Sequence, residues 1–592
     1  MTTRTRSAFT VVLIKPTHYD DDGYPIQWLR TVMPSNTLAA INGLLRDCAE
    51  RRVLGPDVDI ETWPFDETNA RIRPDRIIRD IERRGGKGLI CFVGVQTNQF
   101  PRAVDLAQPF LKAGLPVALG GFHVSGCLAM LPELPPEIRA AQEMGISLFA
   151  GEAEDHRFDE VLRDADKGTL KPLYNHMNDL PNLQGEPFPF LDKRTIGRTQ
   201  ADYTSFDLGR GCPYQCSFCT IINVQGRKSR FRSPDDLEAI VRANAAQGVY
   251  KFFVTDDDLA RNKNWEAHFD RLIELREKGF PVKLTIQVDM LCHKIEGFID
   301  KACAAGVERV FMGLENINPD NLLAANKRQN KIPAFRDMMQ EWRKHGATIL
   351  AGYILGFPGD TAEKILRDVE IVKNELPVDI LEFFFLTPLP GSADHKHMAA
   401  EGTWMDPDPN KYDVAHRVVH HPVMSDAEWE KVYRDAWFAY YTPEHIERIA
   451  RRSAAQENKG IEPNELVEFF LAYKLDNVHP LEGGILRRKF RTDRRPGMPL
   501  ENPAVFYPRY WAGTVSKMSQ YAWRIWQANR LWKRLVASPD RYDYVDAATT
   551  PVQAGEVETM ALYNETAGAE TALKRQKVIE RSREKARATA AE

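Results

Sequence analysis

The chain has 592 residues, of which 43% are hydrophobic and 27% charged, and its formal net charge is -4. That length and apolar content suggest roughly three or four domains with full cores, and the near-balanced charge excludes the basic surface of a nucleic-acid-binding protein. No apolar run is long enough to span a bilayer, and Met1 to Arg6 is not followed by a signal-type apolar stretch, so a cytoplasmic protein without membrane association is expected.

The first 165 residues alternate between strand-like and helix-like segments. Apolar runs at Phe9 to Ile14, Val58 to Trp63, Gly88 to Val95, Val117 to Gly121 and Ile146 to Ala150 read as strands, with helices at Pro34 to Arg46, Pro74 to Arg84 and Pro101 to Ala113 between them. Continuous apolar strands alternating with helices predict a parallel sheet covered on both faces, a doubly wound Rossmann-like domain over residues 1–165. Its ligand belongs at the carboxyl ends of the strands. Those ends read Lys15-Pro-Thr-His-Tyr19, Gly94-Val-Gln-Thr-Asn98, Gly120-Gly-Phe-His123 and Gly151-Glu-Ala-Glu154, and their glycines let backbone approach a flat ligand closely. The acidic loop Asp20-Asp-Asp-Gly23 reads as a solvated turn. Residues 166–200 hold Pro172, Pro181, Pro187 and Pro189 and few periodic apolar positions, and read as an extended linker.

From residue 201 to 405 six further strand candidates alternate with helices: Thr204 to Leu208, Lys251 to Thr255, Lys283 to Val288, Val310 to Leu314, Leu350 to Leu355 and Leu381 to Leu386. Ser233-Pro-Asp-Asp is a cap signal for a helix over Leu237 to Ala246. Six strand–helix units fit a partial (β/α)6 barrel, whose site gathers at the carboxyl ends of the strands. Directly after the first of these strands comes Cys212-Pro-Tyr-Gln-Cys216-Ser-Phe-Cys219. Iron–sulfur clusters usually take four thiolates, so three thiolates at this C-x3-C-x2-C spacing leave one iron open to a small-molecule ligand. A zinc site would need a fourth Cys or His near by, and the run has none. The remaining five of eight cysteines, Cys48, Cys91, Cys127, Cys292 and Cys303, are scattered, form no disulfide framework and read as small buried apolar side chains.

Residues 406–592 begin with helices such as Asp426 to Tyr440 and Pro443 to Arg452, rich in aromatics that read as core. Thr514 to Leu535 reads as an amphipathic helix that caps the barrel mouth, pairs with a partner or lies on a membrane surface. The Ala-, Glu-, Lys- and Arg-rich end of the chain reads as a helix or a disordered tail.

The cysteine run, with Phe218 before its third cysteine, resembles that of the radical S-adenosylmethionine (SAM) enzymes, and the glycine-rich strand ends ahead of it resemble the cobalamin-binding domain that precedes the barrel in one class of them. The resemblance implies a [4Fe–4S] cluster on Cys212, Cys216 and Cys219, SAM on its open iron, and cobalamin in the first domain around Gly94, Thr97, Gly120, Gly121, His123, Gly151 and Glu152. The D-x-H-x-x-G motif of domains that ligate cobalt by histidine is missing, so no histidine–cobalt bond is implied. SAM contacts are implied at Phe218, at Asp256 after the second barrel strand, at Glu315 after the fourth, and at Gly352 and Gly356 of Gly352-Tyr-Ile-Leu-Gly356-Phe-Pro-Gly359, where glycine replaces the usual terminal acid. Arg227, Lys228, Arg230 and Arg232 suit the SAM carboxylate, an anionic substrate, an electron donor or a solvated loop. The implied reaction is methyl transfer from methylcobalamin to an unactivated carbon of a small-molecule substrate through a 5′-deoxyadenosyl radical, with flavodoxin or ferredoxin as electron donor. The alternatives are a cobalamin-type enzyme that cyclises or rearranges without methylating, and a non-catalytic iron–sulfur sensor. No residue is assigned a catalytic role.

Overall fold

The structure is a computed structural model that describes residues 7–327, 335–456 and 460–552. Two six-stranded parallel sheets organise it. The first contains β1 (Ser7–Lys15), β2 (Val58–Asp66), β3 (Gly88–Phe92), β4 (Val117–Gly120), β5 (Ile146–Ala150) and β6 (Leu173–Asn175), in the order β2-β1-β3-β4-β5-β6. Along β1, Val11 and Leu13 enter one hydrophobic core while Val12 and Ile14 enter another, as expected of a strand covered on both faces. The strand order reverses at β1/β3, which places the ligand crevice outside the carboxyl ends there. β6 lies within the segment expected to be an extended linker. It pairs with β5 through Leu148↔Leu173, so part of that stretch is a sheet edge.

The second sheet contains β7 (Tyr203–Phe206), β8 (Lys251–Val254), β9 (Lys283–Val288), β10 (Val307–Glu315), β11 (Thr348–Leu355) and β12 (Ile380–Phe385), paired in chain order as an open partial barrel. Side chains alternate across it. Val310, Met312 and Leu314 join the outer core, so Phe311, Gly313 and Glu315 turn to the barrel interior. The expected helix cap forms: Ser233 and Asp236 close a capping box on the helix Pro234–Ala245.

Most aromatics of the first carboxyl-terminal helix are core. Trp429, Tyr433, Trp437 and Tyr440 of the helix Asp426–Tyr440 are buried against β12, with the Tyr433 ring stacked 4.2 Å from that of Phe385 and the Tyr440 hydroxyl donating to the Val378 carbonyl at 2.9 Å. This region also returns to the first domain, where Gly484–Arg488 pairs antiparallel with Gln27–Thr31. The Asp20–Gly23 loop is therefore more than a solvated turn. Asp20 pairs with Arg487 at 2.9 Å, Asp22 with Lys489 at 2.9 Å and Asp21 with His416 at 3.0 Å. Sequence distance hid this junction, because all three acids find their partners about four hundred residues or more along the chain. The amphipathic segment belongs to one helix, Pro503–Val536. The expected tail lies outside the described residues.

Candidate active site

The three cysteines occupy a loop held at its base by a two-residue hairpin in which Gly209–Arg210 pairs antiparallel with Arg230–Phe231. Cys216 is buried, and Cys212 and Cys219 are half-buried. Backbone N–H groups already point at the sulfurs: that of Tyr214 at Cys212, and those of Ile221 and Ile222 at Cys219. Burial pushes the thiols up, to about 12 for Cys212 and about 11 for Cys219, and these N–H groups act against it. Such donors favour the thiolate that binds iron. The loop is anchored further by the Tyr214 hydroxyl, which donates to Asp289 at 2.7 Å, and by Gly211 N–H, which donates to Asp257 at 3.2 Å. Among the described residues no three His, Cys, Asp or Glu side chains converge on a single-ion site. A cuboidal cluster asks for something different, one thiolate for each iron spread over one loop. These residues fit three corners of a cluster.

Phe218 packs with Ile354, Phe357, Phe384 and Leu386 in a small apolar group beside the loop. Gly352 lies in the barrel interior, where an added Cβ would sit 3.1 Å from the Phe311 ring and 3.2 Å from that of Phe384. Gly356 has φ +103°, and a Cβ there would fall 2.0 Å from the Trp429 ring. Its glycine is thus required by packing against the carboxyl-terminal helix as well as by the turn. Glu315 is a non-glycine residue at φ 60°, paired with Lys327, whose ammonium also donates to the Gly313 carbonyl at 2.9 Å. A residue held in this left-handed region at a strand end marks a site where the surroundings impose the conformation. The expectation for Asp256 is corrected. Its carboxylate is 2% exposed and occupied locally, accepting from Leu208 N–H at 2.7 Å and from Asn262 at 2.9 Å. It fastens β8 to the segment entering the cysteine loop.

In the first domain a cleft, with an enclosed volume of about 160 Å³, opens at the carboxyl ends of β3, β4 and β5. Gly94, Gly120, Gly121, Gly151 and Glu152 line it, above an apolar floor that includes Cys91, Ala118 and Phe149. Arg210, Val224 and Gln225, all from the cysteine hairpin, form part of the wall, so the cleft faces the cluster loop. Gly94 (φ +64°) and Gly151 (φ +96°) need the conformation, and this backbone-lined cradle at the strand ends beside the switch point fits a flat cofactor that the backbone approaches.

Gly121 has φ +154°, and a Cβ there would meet Val95 N at 2.2 Å. The chain's own backbone therefore demands glycine at that position, rather than the approach of a ligand. Thr97 and His123 do not line the cleft. They bond to each other at 3.2 Å, and the His123 ring packs tilted against Phe100 at 4.7 Å beside the second core, where burial lowers its imidazole to about 3. Both are corrected from cofactor contacts to packing residues. The pattern Gly-Gly-x-His signalled a turn and a buried histidine equally well.

Glu152 is corrected in a different way. Its carboxylate accepts from Arg210 at 2.7 Å and from Arg230 at 2.8 Å. Glu154 takes the other Arg210 nitrogen at 2.6 Å, and Asp207 accepts from Arg210 Nε at 3.1 Å. Burial would raise Asp207, but Arg210 and Arg232 outweigh it and hold the acid down at about 2. The acids after β5 are thus a clamp between the first domain and the cluster hairpin. Of the basic run, Arg230 and Arg232 belong to this buried network and Arg227 and Lys228 are exposed. Sequence reasoning missed Arg210, although its place two residues before Cys212 was visible.

It also missed Glu382, a barrel residue on β12 that is fully buried, with both carboxyl oxygens lacking a hydrogen-bond partner among the described residues. Burial alone raises it to about 8 from an ordinary 4.5. The folded protein therefore keeps a proton that the unfolded chain releases, and stability contributed by this group falls as pH rises from about 4.5 to about 8. Glu382→Gln should become more stable relative to the parent as pH rises through that window. Thermal unfolding at pH about 5 and about 9 tests this, and an equal difference at both pH values would contradict it.

Residues 207–372 match the profile of the Radical SAM superfamily. The chain is 28% identical over 340 residues to the bacteriochlorophyllide d C-8(2)-methyltransferase of Chlorobaculum tepidum, covering 55% of this chain and 71% of that protein. It is 24% identical over 368 residues to the hopanoid C-2 methylase of Rhodopseudomonas palustris, covering 60% of this chain and 64% of that one. Among solved structures it is similar to the radical S-adenosylmethionine methyltransferase TsrM from Kitasatospora setae with tryptophan and a SAM analog bound. The TM-score is 0.52 at 15% identity, over 74% of this chain and 90% of that one. A second structure of TsrM, with cobalamin and a [4Fe–4S] cluster, gives a TM-score of 0.50 at 16% identity, over 74% and 86% of the two chains. At such identities the structural likeness speaks to fold.

Proposed function

We propose that this chain, which matches the Radical SAM superfamily over residues 207–372, is a radical SAM enzyme of the cobalamin-binding class and transfers a methyl group to an unactivated carbon of a small-molecule substrate. The observation that carries this reading is the Arg210 clamp: the residue two before Cys212 is ion-paired to the strand end that borders the first domain's cleft, so two cofactor positions share one rigid junction. The names of the two relatives, both methyl-transferring enzymes, support the same reaction class. When bound, the cluster with SAM supplies hydrogen-atom abstraction, and a corrinoid supplies a methyl carrier.

The chain's own residues hold and orient these groups. Cys212, Cys216 and Cys219 hold three irons. Phe218, Ile354 and Phe357 offer an apolar wall for a planar ring. Glu315, oriented by Lys327, presents a carboxylate to hydroxyl or ammonium donors. Gly94, Gly120 and Gly151, which line the cleft, would hold a corrinoid against their backbone, while Gly121 shapes the loop from behind. The apolar packing around the cysteine loop keeps water from a reactive intermediate. A flavodoxin- or ferredoxin-like donor delivers the electron.

The test uses the full chain, reconstituted anaerobically with iron, sulfide and hydroxocobalamin, desalted, and given SAM and dithionite. Retained corrinoid and formation of both 5′-deoxyadenosine and S-adenosylhomocysteine are expected. 5′-Deoxyadenosine without S-adenosylhomocysteine would replace methyl transfer by the non-methylating reading, and neither product would leave a cluster sensor. Absence of retained corrinoid would remove the first domain from the chemistry.

A further inference from the structure

The helix Pro503–Val536 is 34 residues long and carries two distinct apolar faces. One is buried: Phe506, Ala528, Trp532 and Leu535 pack inward, the last two against Ala450 and Ala454. The other faces solvent. Trp511 is 59% exposed, Val515 63%, Met518 55% and Trp526 47%. Successive spacings of four, three and eight residues put these side chains on one stripe of the helix. Trp523, 56% exposed, stacks on Trp526 at 4.9 Å, and the Arg530 guanidinium lies 4.8 Å over the Trp526 ring. Single exposed apolar residues need no explanation, but a stripe of large apolar side chains along one helix face does.

Charge identifies what the stripe meets. The helix holds Arg509, Lys517, Arg524, Arg530, Lys533 and Arg534 and no Asp or Glu. From Gly484 to Val536 there are twelve Lys and Arg against two acids, in a chain whose net charge is -4. Arg509, Lys517 and Arg534 have carboxylate partners, whereas Arg524, Arg530 and Lys533 have none among the described residues. Docking a second copy through this stripe would bring like charges together. Tryptophans beside arginines and lysines, on a helix too polar to cross a bilayer, are what an interfacial helix uses: rings at the headgroup level, long cationic side chains reaching phosphates.

We propose that the helix Pro503–Val536 seats this protein on an anionic lipid surface, through the Trp511–Trp526 stripe and the cations of its carboxyl-terminal half. The contact is peripheral. The buried face of the helix stays in the protein, and the exposed stripe enters the interface.

The test is co-sedimentation of the full chain with vesicles of phosphatidylcholine alone and of phosphatidylcholine with phosphatidylglycerol. Binding to the anionic vesicles, weakened by salt, is expected, with little binding to the neutral ones. Arg530→Glu with Lys533→Glu should weaken partitioning by at least about tenfold, since each cation near an anionic surface is worth roughly fivefold. Trp511→Ser with Trp526→Ser should do so by about tenfold or more through lost apolar burial. All four positions are exposed, and circular dichroism confirms that each variant is folded. No binding to anionic vesicles at low salt overturns the proposal, as does binding that the stripe substitutions leave unchanged. Light scattering that shows a dimer, converted to monomer by Trp511→Ser with Trp526→Ser, assigns the face to a second copy instead.

Discussion

Replacing Cys212, Cys216 or Cys219 by alanine removes the iron–sulfur cluster and, with it, all formation of 5′-deoxyadenosine. Each thiolate is expected to hold a different iron, so none substitutes for another. The loop presents its sulfurs from a fixed hairpin, with backbone N–H groups aimed at Cys212 and Cys219. Iron analysis and visible absorption after anaerobic reconstitution are the measurements. A single alanine variant that keeps the full iron complement and cleaves SAM would refute the assignment. Cys303→Ala is the control, because Cys303 packs beside the outer core of the barrel away from the loop and should leave both readouts unchanged.

Arg210→Met is expected to give the second largest effect, this time on stability. Arg210 neutralises Glu152, Glu154 and Asp207, all less than a tenth exposed. Removing the cation leaves Glu154 without its partner and Glu152 and Asp207 with Arg230 and Arg232 alone, and breaking a buried pair in this way costs about 3–5 kcal/mol. The loss should appear as an earlier unfolding transition of the first domain and as reduced corrinoid retention. In the parent protein the contribution of Asp207 runs in the opposite sense to that of Glu382. Its folded value is depressed from 3.8 to about 2, so its stabilisation is present above pH 3.8 and disappears as pH falls towards 2. Superimposable denaturation curves for Arg210→Met and the parent would show that the clamp carries no energy. Glu152→Gln with Glu154→Gln is the companion variant. It removes the partners while leaving Arg210 hydrogen-bonded, and should destabilise less.

Local chemistry was legible in the sequence. Uninterrupted apolar strands between amphipathic helices specify two covered parallel sheets, because a strand with both faces buried cannot alternate with polar residues. Ser233 and Asp236 announce a helix start through hydrogen bonds made within four residues. The spacing of Cys212, Cys216 and Cys219 states a cluster chemistry within a single loop. Glycine positions were equally visible, but their reason was not: Gly121 and Gly356 are compelled by Val95 and Trp429, residues that only folding brings near.

What the tertiary structure alone decided is the partnering of charges. Glu152, Asp256 and His123 each stood at a strand end, where a cofactor contact and a packing role look the same in one dimension. Glu152 meets Arg210 and Arg230, Asp256 meets Leu208 N–H and Asn262, and His123 turns into the core beside Phe100. The same holds for Asp20, Asp21 and Asp22, and for the pairing of Gly484–Arg488 with Gln27–Thr31. An ion pair depends on distances of a few ångströms between segments separated by tens to hundreds of residues. Periodicity and caps are properties of a short window, so they specify the elements and the cluster loop, whereas which acid faces a cofactor and which faces an arginine is settled only when the sheets dock.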